Sequence, residues 1–298
     1  MKILVTGANG YLGRGVVDEL LKRGNEVIAT DFACDHVNSA AHCVPGDIFS
    51  IEDPYTYFGE PDVVLHLAWR DGFVHNSNAH FEDLPKHVAF LKKLCESGIQ
   101  QVACMGSMHE IGFHEGSINA HTPCWPMSMY GIAKDALRNA LQTIALQNKV
   151  KFQWLRGYYI VSNTQYGSSI FSKIVAAEIE GKKEFPFTTG QNQYDFLDYP
   201  DFCHQVAAAV NQDEVLGIIN ICSGKPEKLA DRVERFIAEN GFSIKLKYGA
   251  FPDRPYDSKA AWGEKAKNEL VFLKDSEIYK PLGKDVVITK GSTVQAEN

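Results

Sequence analysis

No run of apolar residues in this 298-residue chain reaches the roughly 18 that a membrane-spanning helix requires. The opening residues read as a strand rather than a signal peptide, so no membrane partner is expected. Basic residues are not in excess. The 30 Lys and Arg stand against 37 Asp and Glu, a formal charge of -7, which argues against a nucleic-acid polymer, whose phosphates call for a basic face. A nucleotide ligand needs only a few local cations and stays compatible with that balance. Cysteine is scattered: Cys34, Cys43, Cys95, Cys104, Cys124, Cys203 and Cys222 form no Cys-x-x-Cys pair. An odd, dispersed set fits reduced thiols in a cytoplasmic protein. Internal repeats and low-complexity segments are also missing. At 45% hydrophobic and 22% charged, the composition has room for a large domain, or a main domain with a smaller lobe.

What is present is densest at the start, in MKILVTGANGYLGRG. Lys2-Ile3-Leu4-Val5-Thr6 reads as a short buried strand, and Leu12, Val16, Val17, Leu20 and Leu21 recur at helical spacing. Gly7 suits a tight turn, Gly10 lets a phosphate approach the main chain, and Gly13 lets helix and strand pack closely. The amides that open the helix, from Gly10 through Tyr11, Leu12 and Gly13, face such a ligand with the positive end of the helix dipole behind them. A second strand, NEVIATD, ends in Asp31, whose carboxylate can accept hydrogen bonds from both ribose hydroxyls of an adenosine. Its charge repels a 2′-phosphate and favours NAD(H). Arg14 could offset that repulsion, so NADP(H) stays open.

Strand-like runs KILVT, EVIAT, DVVLHLA, QQVACMG and KFQWLRGYYIV alternate with helical patterns near 11–23, 77–97 and 128–148. This alternation implies an α/β fold, a Rossmann-type doubly wound parallel sheet covered on both faces. After about residue 165 the pattern is mixed. Helices are expected near 168–181, 200–211 and 226–240, with strands at GIINICSG and near 243–248. The dinucleotide-binding domain is therefore placed at 1–165 with 190–222 returning to it. A smaller, discontinuous substrate lobe takes 166–189 and 223–298.

MYGIAKDAL puts Tyr130 and Lys134 four apart on one helical face. A phenol, with a pKa of about 10, is a poor base near neutrality. A neighbouring ammonium and an oxidised nicotinamide would both lower that value. Lys134 can also hold the nicotinamide ribose while Tyr130 exchanges a proton with a carbonyl or hydroxyl oxygen. Ser107, at the end of the strand QVACMGS, can hydrogen-bond the same oxygen; the bland alternative is a turn cap.

On VTGANGYLG, GDI at 46–48, VLHLAW at 64–69, GSMHEIG at 106–112 and YGIAK at 130–134, the sequence resembles the extended short-chain dehydrogenase/reductase family. That family includes nucleotide-sugar epimerases, dehydratases and ketoreductases. The resemblance implies a Ser107, Tyr130 and Lys134 triad, Asp47 and Ile48 at the adenine, and His66-Leu67-Ala68, followed by Trp69, beside the cofactor. It also implies Tyr158 near the nicotinamide and Arg254, in FPDRPYDS, on the nucleotide diphosphate. A guanidinium fork suits that last task, with a structural salt bridge as its rival. Met108, His109, Tyr159, Ser169 and Lys173 are further candidates for the substrate side.

Departures from the family narrow the reaction. The dehydratases carry an Asp-Glu pair directly after the catalytic hydroxyl residue, and here those places hold Met108 and His109. Tyr159 and Tyr194 replace a family Asn and Arg on the sugar and phosphate side, which puts a UDP-hexose 4-epimerase in doubt. With SIFSK and FPFTTG, the pattern looks most like the bacterial 4-ketoreductases of dTDP-4-keto-6-deoxyhexoses. The implied reaction takes dTDP-4-keto-L-rhamnose to dTDP-6-deoxy-L-talose, for surface polysaccharide, in a homodimer. Alternatives are a dTDP-D-fucose-forming reductase, an NAD-dependent 4-epimerase and a non-catalytic dinucleotide-binding sensor. HEIGFH is not expected to bind metal, because His109 and His114 are five apart with Gly112 between them. His66, on an apolar strand, is expected to be a packed structural residue.

Overall fold

In the computed structural model, which describes residues 1–165, 169–253 and 257–278, the first half of the chain alternates strand and helix. β1 (Lys2–Thr6), α1 (Tyr11–Lys22), β2 (Glu26–Thr30), β3 (His42–Cys43), α2 (Pro54–Tyr57) and β4 (Val63–His66) come first. They are followed by α3 (Ala79–Ser97), β5 (Gln101–Ser107), β6 (Gly116–Ile118), α4 (Met129–Gln147), β7 (Lys151–Gly157) and β8 (Tyr159–Val161). The rest comprises α5 (Ile170–Ile179), β9 (Glu184–Pro186), β10 (Gln193–Asp198), α6 (Tyr199–Val210), β11 (Gly217–Ile221) and β12 (Pro226–Lys228). α7 (Leu229–Glu239), β13 (Lys245–Lys247), β14 (Ala260–Gly263) and α8 (Ala266–Ile278) complete the described chain.

Seven strands form one sheet in the order β11-β7-β5-β4-β1-β2-β3, every pairing parallel. Its strands are apolar on both faces because each face is covered. Ile3, Val5, Val63, Leu65, Ala103 and Met105 join α1 and α6 in one core, whereas Leu4, Val64, Val102 and Cys104 join α3 and α4 in the other. The alternation follows the two-residue period of a strand, and burying each large aliphatic side chain stabilises the fold by roughly 1.5–3 kcal/mol. The strand order reverses beside β1. Ligands bind at the carboxyl ends of the strands at such a switch point, because the flanking loops diverge there and leave a crevice.

The smaller lobe has a second sheet, β12-β10-β14-β6 with β8 on β10, and a separate β9–β13 pair. Phe171, Ile174, Phe196, Val233, Phe236 and Ile237 make its core. Several segments lie elsewhere than their sequence suggests, among them β6 and β8, which fall within 1–165 yet pair in the second sheet. β10, read as returning to the main domain, belongs to the second sheet, where its Asp195 is buried against backbone N–H groups. α8, assigned to the lobe, packs on the large sheet, with Val271 in that core. Their apolar positions are too few to reveal which core they join. α6 packs on the large sheet, and β11 pairs with β7 at its edge.

Candidate active site

At the carboxyl edge of β1, Gly7 adopts a φ of +68°, a left-handed conformation that strains any residue with a side chain. A Cβ on Gly7 would lie 2.7 Å from the Ala68 nitrogen, and one on Gly13 would lie 2.3 Å from the Gly7 carbonyl oxygen. The turn is therefore packed against α1 on one side and the Leu67–Ala68 segment on the other. A Cβ on Gly10 would approach only the Gly7 oxygen, at 3.1 Å, so its outer side is open to a phosphate. Asp31 closes the cradle: Oδ2 accepts from the Asn9 amide at 3.1 Å and Oδ1 from the Phe32 amide at 2.8 Å. Glycine turn, open helix start and acidic strand end fit an adenine dinucleotide. Arg14 donates to the Asn9 carbonyl at 2.7 Å, bracing the loop.

The neighbouring segments are tied to this cradle. The Gly46 amide donates to the Asp31 carbonyl at 2.8 Å, bringing Asp47 and Ile48 beside the end of β2. Asp47 caps a short turn by accepting from the Phe49 amide, and Ile48 is buried. Tyr11 opens α1 stacked on Tyr199, with ring centroids 4.8 Å apart, and Leu12 packs on the core. Tyr158, expected near the nicotinamide, lies between β7 and β8. Its side chain is buried among Met108, Ile111, Ile118, Cys222 and Ala261, with its hydroxyl 3.4 Å from the Asn220 amide oxygen.

Ser107, Tyr130 and Lys134 come together where β5 meets α4. Ser128 caps α4 by accepting from the Gly131 amide at 3.1 Å. A Cβ at Gly131 would stand 2.4 Å from the His109 carbonyl; a bare position here lets the helix start press against the Ser107 turn. The Tyr130 phenol is close enough to Ser107 for its hydroxyl to favour the ionised phenol. Lys134 is 3% exposed; its Nζ donates to the Met105 carbonyl at 2.8 Å and lies 3.8 Å from the Trp69 ring centroid. Burial lowers its pKa to about 8. Burial also pushes the Tyr130 phenol up, against the opposing effect of the Ser107 hydroxyl; the lowering expected from the sequence draws on an oxidised nicotinamide as well as the ammonium. Desolvation outweighs an ammonium 5.8 Å from the ring centroid, which favours the protonated phenol.

Several neighbours were not legible in advance. The Trp69 ring stacks on His87 at 4.6 Å, and its Nε1 donates to His80 Nδ1 at 3.0 Å. His75 stacks on Tyr130, with centroids 5.6 Å apart and 11° between planes. His66 is buried and hydrogen-bonded to Thr6 and His87, each at 2.8 Å, and burial lowers its pKa well below the usual range. In HEIGFH the three polar side chains diverge. His109 lies beside Tyr130, Glu110 is buried behind Ser107, and His114 bonds the Ser117 carbonyl.

A cleft of about 120 Å³ adjoins the triad, lined by His75, Met108, His109, Phe113, Met127 and Tyr159 among others. Tyr159 and Tyr194 meet edge to face at 4.7 Å, so the two departures from the family pattern share one wall. Ser169 caps α5 by accepting from the Ser172 amide, and Lys173 is exposed on that helix. Arg254 lies outside the described residues. A larger cavity of about 430 Å³, lined by Asn25, Gln101, Asn211 and Gln212, lies at the amino ends of the strands, the opposite end from the cradle and triad.

A phosphate cradle beside a Ser-Tyr-Lys cluster, on a doubly wound sheet with a small lobe over its edge, defines a dinucleotide-dependent class. The family model described as "NAD dependent epimerase/dehydratase family" matches residues 3–222, and the chain belongs to that family. It is 43% identical over 271 residues to dTDP-6-deoxy-L-talose 4-dehydrogenase (NAD(+)) of Aggregatibacter actinomycetemcomitans, covering 89% of this chain and 100% of that protein. The UDP-glucose 4-epimerase of Streptococcus mutans is 28% identical over 183 residues, 57% of this chain and 55% of that one. Among solved structures, the UDP-glucuronic acid 4-epimerase of Bacillus cereus, in complex with UDP-glucuronic acid and NAD, shares the fold. Its TM-score is 0.79 at 20% identity, with 95% of each chain covered.

Proposed function

We propose that the protein reduces the C4 ketone of a dTDP-4-keto-6-deoxyhexose, using NADH to convert dTDP-4-keto-L-rhamnose to dTDP-6-deoxy-L-talose. The observation that carries this reading is the identity to the Aggregatibacter enzyme across that enzyme's whole length. That relative's name describes the same step in the oxidising sense. When bound, the reduced nicotinamide supplies the hydride. Gly7, Gly10 and Gly13 would hold the pyrophosphate, Asp31 the adenosine ribose and Lys134 the nicotinamide ribose. Tyr130, kept protonated by burial, gives its proton to the C4 oxygen, and Ser107 orients that oxygen. Met108, Phe113 and Met127 on the cleft wall suit the methyl group of a 6-deoxy sugar.

The test follows loss of reduced-nicotinamide absorbance with dTDP-4-keto-6-deoxy-D-glucose, with and without the 3,5-epimerase that makes the L-rhamno ketone. Oxidation only when the epimerase is present, with NMR identifying 6-deoxy-L-talose, is expected. Oxidation without it points to a D-fucose-forming reductase. No oxidation in either case, with NAD retained through purification, points to a 4-epimerase. We further propose a cytoplasmic homodimer joined through α4; the exposed Ile132 and Leu146 on that helix support the interface, and sedimentation tests it. No helix among the described residues is long and apolar enough to cross a membrane.

A further inference from the structure

Directly behind Ser107 stands a carboxylate that the reaction above does not use. Glu110 is 0% exposed. One of its oxygens accepts from the Ser107 backbone amide at 2.6 Å, while both lie 2.9 Å from the Trp154 indole nitrogen. Two guanidiniums face it, Arg156 at 3.6 Å and Arg138 at 3.9 Å. Burial pushes its carboxyl above the usual carboxylate range, opposed by the Arg156 charge and by the surrounding N–H donors, which suit the ionised form. The Ser107 hydroxyl in turn accepts from the His109 amide at 3.2 Å. Ser107 and Glu110 thus form a reciprocal capping box, with the side chain of each bonded to the backbone of the other's turn. The neighbouring glycine is part of the device. A Cβ on Gly106 would lie 2.0 Å from the Trp154 indole nitrogen and 2.6 Å from the carboxylate.

Packing alone would be served by an apolar residue at this place. A buried charge costs stability unless its surroundings compensate it, and an apolar replacement is often neutral or better. We propose that Glu110 is a positioning residue: it fixes the Ser107 main chain, and so aims the Ser107 hydroxyl at the oxygen that receives the Tyr130 proton. Glu110 does not reach the substrate, because its oxygens are held by Ser107 and Trp154 and the cleft wall is made by Met108 and His109. The inference rests on the role given to Ser107 under the proposed function.

The experiment is a double-mutant cycle on the full chain. Glu110→Gln is expected to lower kcat by about tenfold or more while leaving KM for the sugar within about twofold. In a Ser107→Ala background the same change is expected to cost less than about twofold, because its effect passes through Ser107. Wild-type kcat in Glu110→Gln, or losses that multiply in the double variant, would overturn the proposal. Should Glu110→Gln not fold, Trp154→Phe removes the indole donor and is expected to give the same kcat-only phenotype. An amide-resolved NMR spectrum separates this inference from the functional reading. The Ser107 amide proton should move upfield in Glu110→Gln whether or not the keto sugar is turned over. An unmoved amide overturns the positioning role, whereas an inactive wild type overturns the proposed reaction.

Discussion

Among the described residues, each half of the molecule buries one carboxylate completely, and the two are held in opposite ways. Glu110, in the large domain, is faced by an indole N–H, one backbone amide and two guanidiniums. Asp195, in the lobe and likewise 0% exposed, accepts from the backbone amides of Ser223, Gly224 and Gly263 at 2.7, 2.9 and 3.0 Å, and from the Ser223 hydroxyl at 2.6 Å. One carboxylate locks the single turn that carries Ser107. The other staples β10 to β14 and to the loop after β11, in a sheet whose strands run only three to six residues. The strands of the large sheet are instead sealed by apolar helices on both faces. Chemistry is therefore expected to be sensitive on one side of the cleft, and sugar-nucleotide affinity on the other.

The sharpest way to break this division is Tyr130→Phe. Turnover should fall by roughly two to four orders of magnitude, the usual range for a lost general acid, while NADH binding followed by fluorescence stays at the wild-type level. Near wild-type turnover would place the proton donor elsewhere. On the lobe side, Asp195→Asn leaves buried N–H groups short of acceptors. Each such group costs about 1–3 kcal/mol, so denaturant unfolding should show that loss, and KM for the sugar nucleotide should rise more than kcat falls. A kcat defect with an unchanged KM would erase the contrast with Glu110.

Two glycines sharpen the picture within the large domain. Gly13→Ala drives a Cβ to 2.3 Å from the Gly7 oxygen, and overpacking of that kind costs typically 1–3 kcal/mol, or about that range here. It should lower Tm and cofactor affinity together. Gly10→Ala has open space on its outer side, so the protein should melt near the wild-type temperature yet bind NADH roughly tenfold more weakly or worse. Equal melting losses in the two variants would contradict the cradle geometry.

The smallest expected effect concerns Lys134. Burial brings its pKa from the ordinary 10.5 to about 8, so between those values the unfolded chain binds more protons than the folded one. The unfavourable contribution is full below about pH 8 and is relieved as pH rises toward 10.5. Lys134→Met should therefore raise Tm modestly near neutrality, with the gain shrinking above about pH 9, while turnover is lost. A variant that melts lower than wild type at neutral pH would mean that the Met105 and Trp69 contacts outweigh desolvation.

Local sequence determined a good deal of this protein. The two-residue apolar alternation and the Gly7-Gly10-Gly13 spacing specify strand, turn and helix among near neighbours. Tyr130 and Lys134 share a face because four residues make about one helical turn. Ser-Met-His-Glu at 107–110 even carries the capping-box signature, although its purpose stays hidden until Trp154, Arg156 and Arg138 are seen around Glu110. Tertiary structure alone decided the rest. Whether the Tyr130 phenol is raised or lowered depends on how completely it is desolvated, and that is a sum over the loop at 75, the turn at 107 and α4. Tyr158 and Tyr159 are adjacent in sequence, yet one fills a core and the other lines the cleft, because successive side chains of extended backbone point to opposite sides. The assignment of β10 and α8 to one half or the other rests on partners far along the chain, Ser223 and Gly263 for Asp195 and the large sheet for Val271. Contacts at such separation leave no periodic trace in the residues that make them.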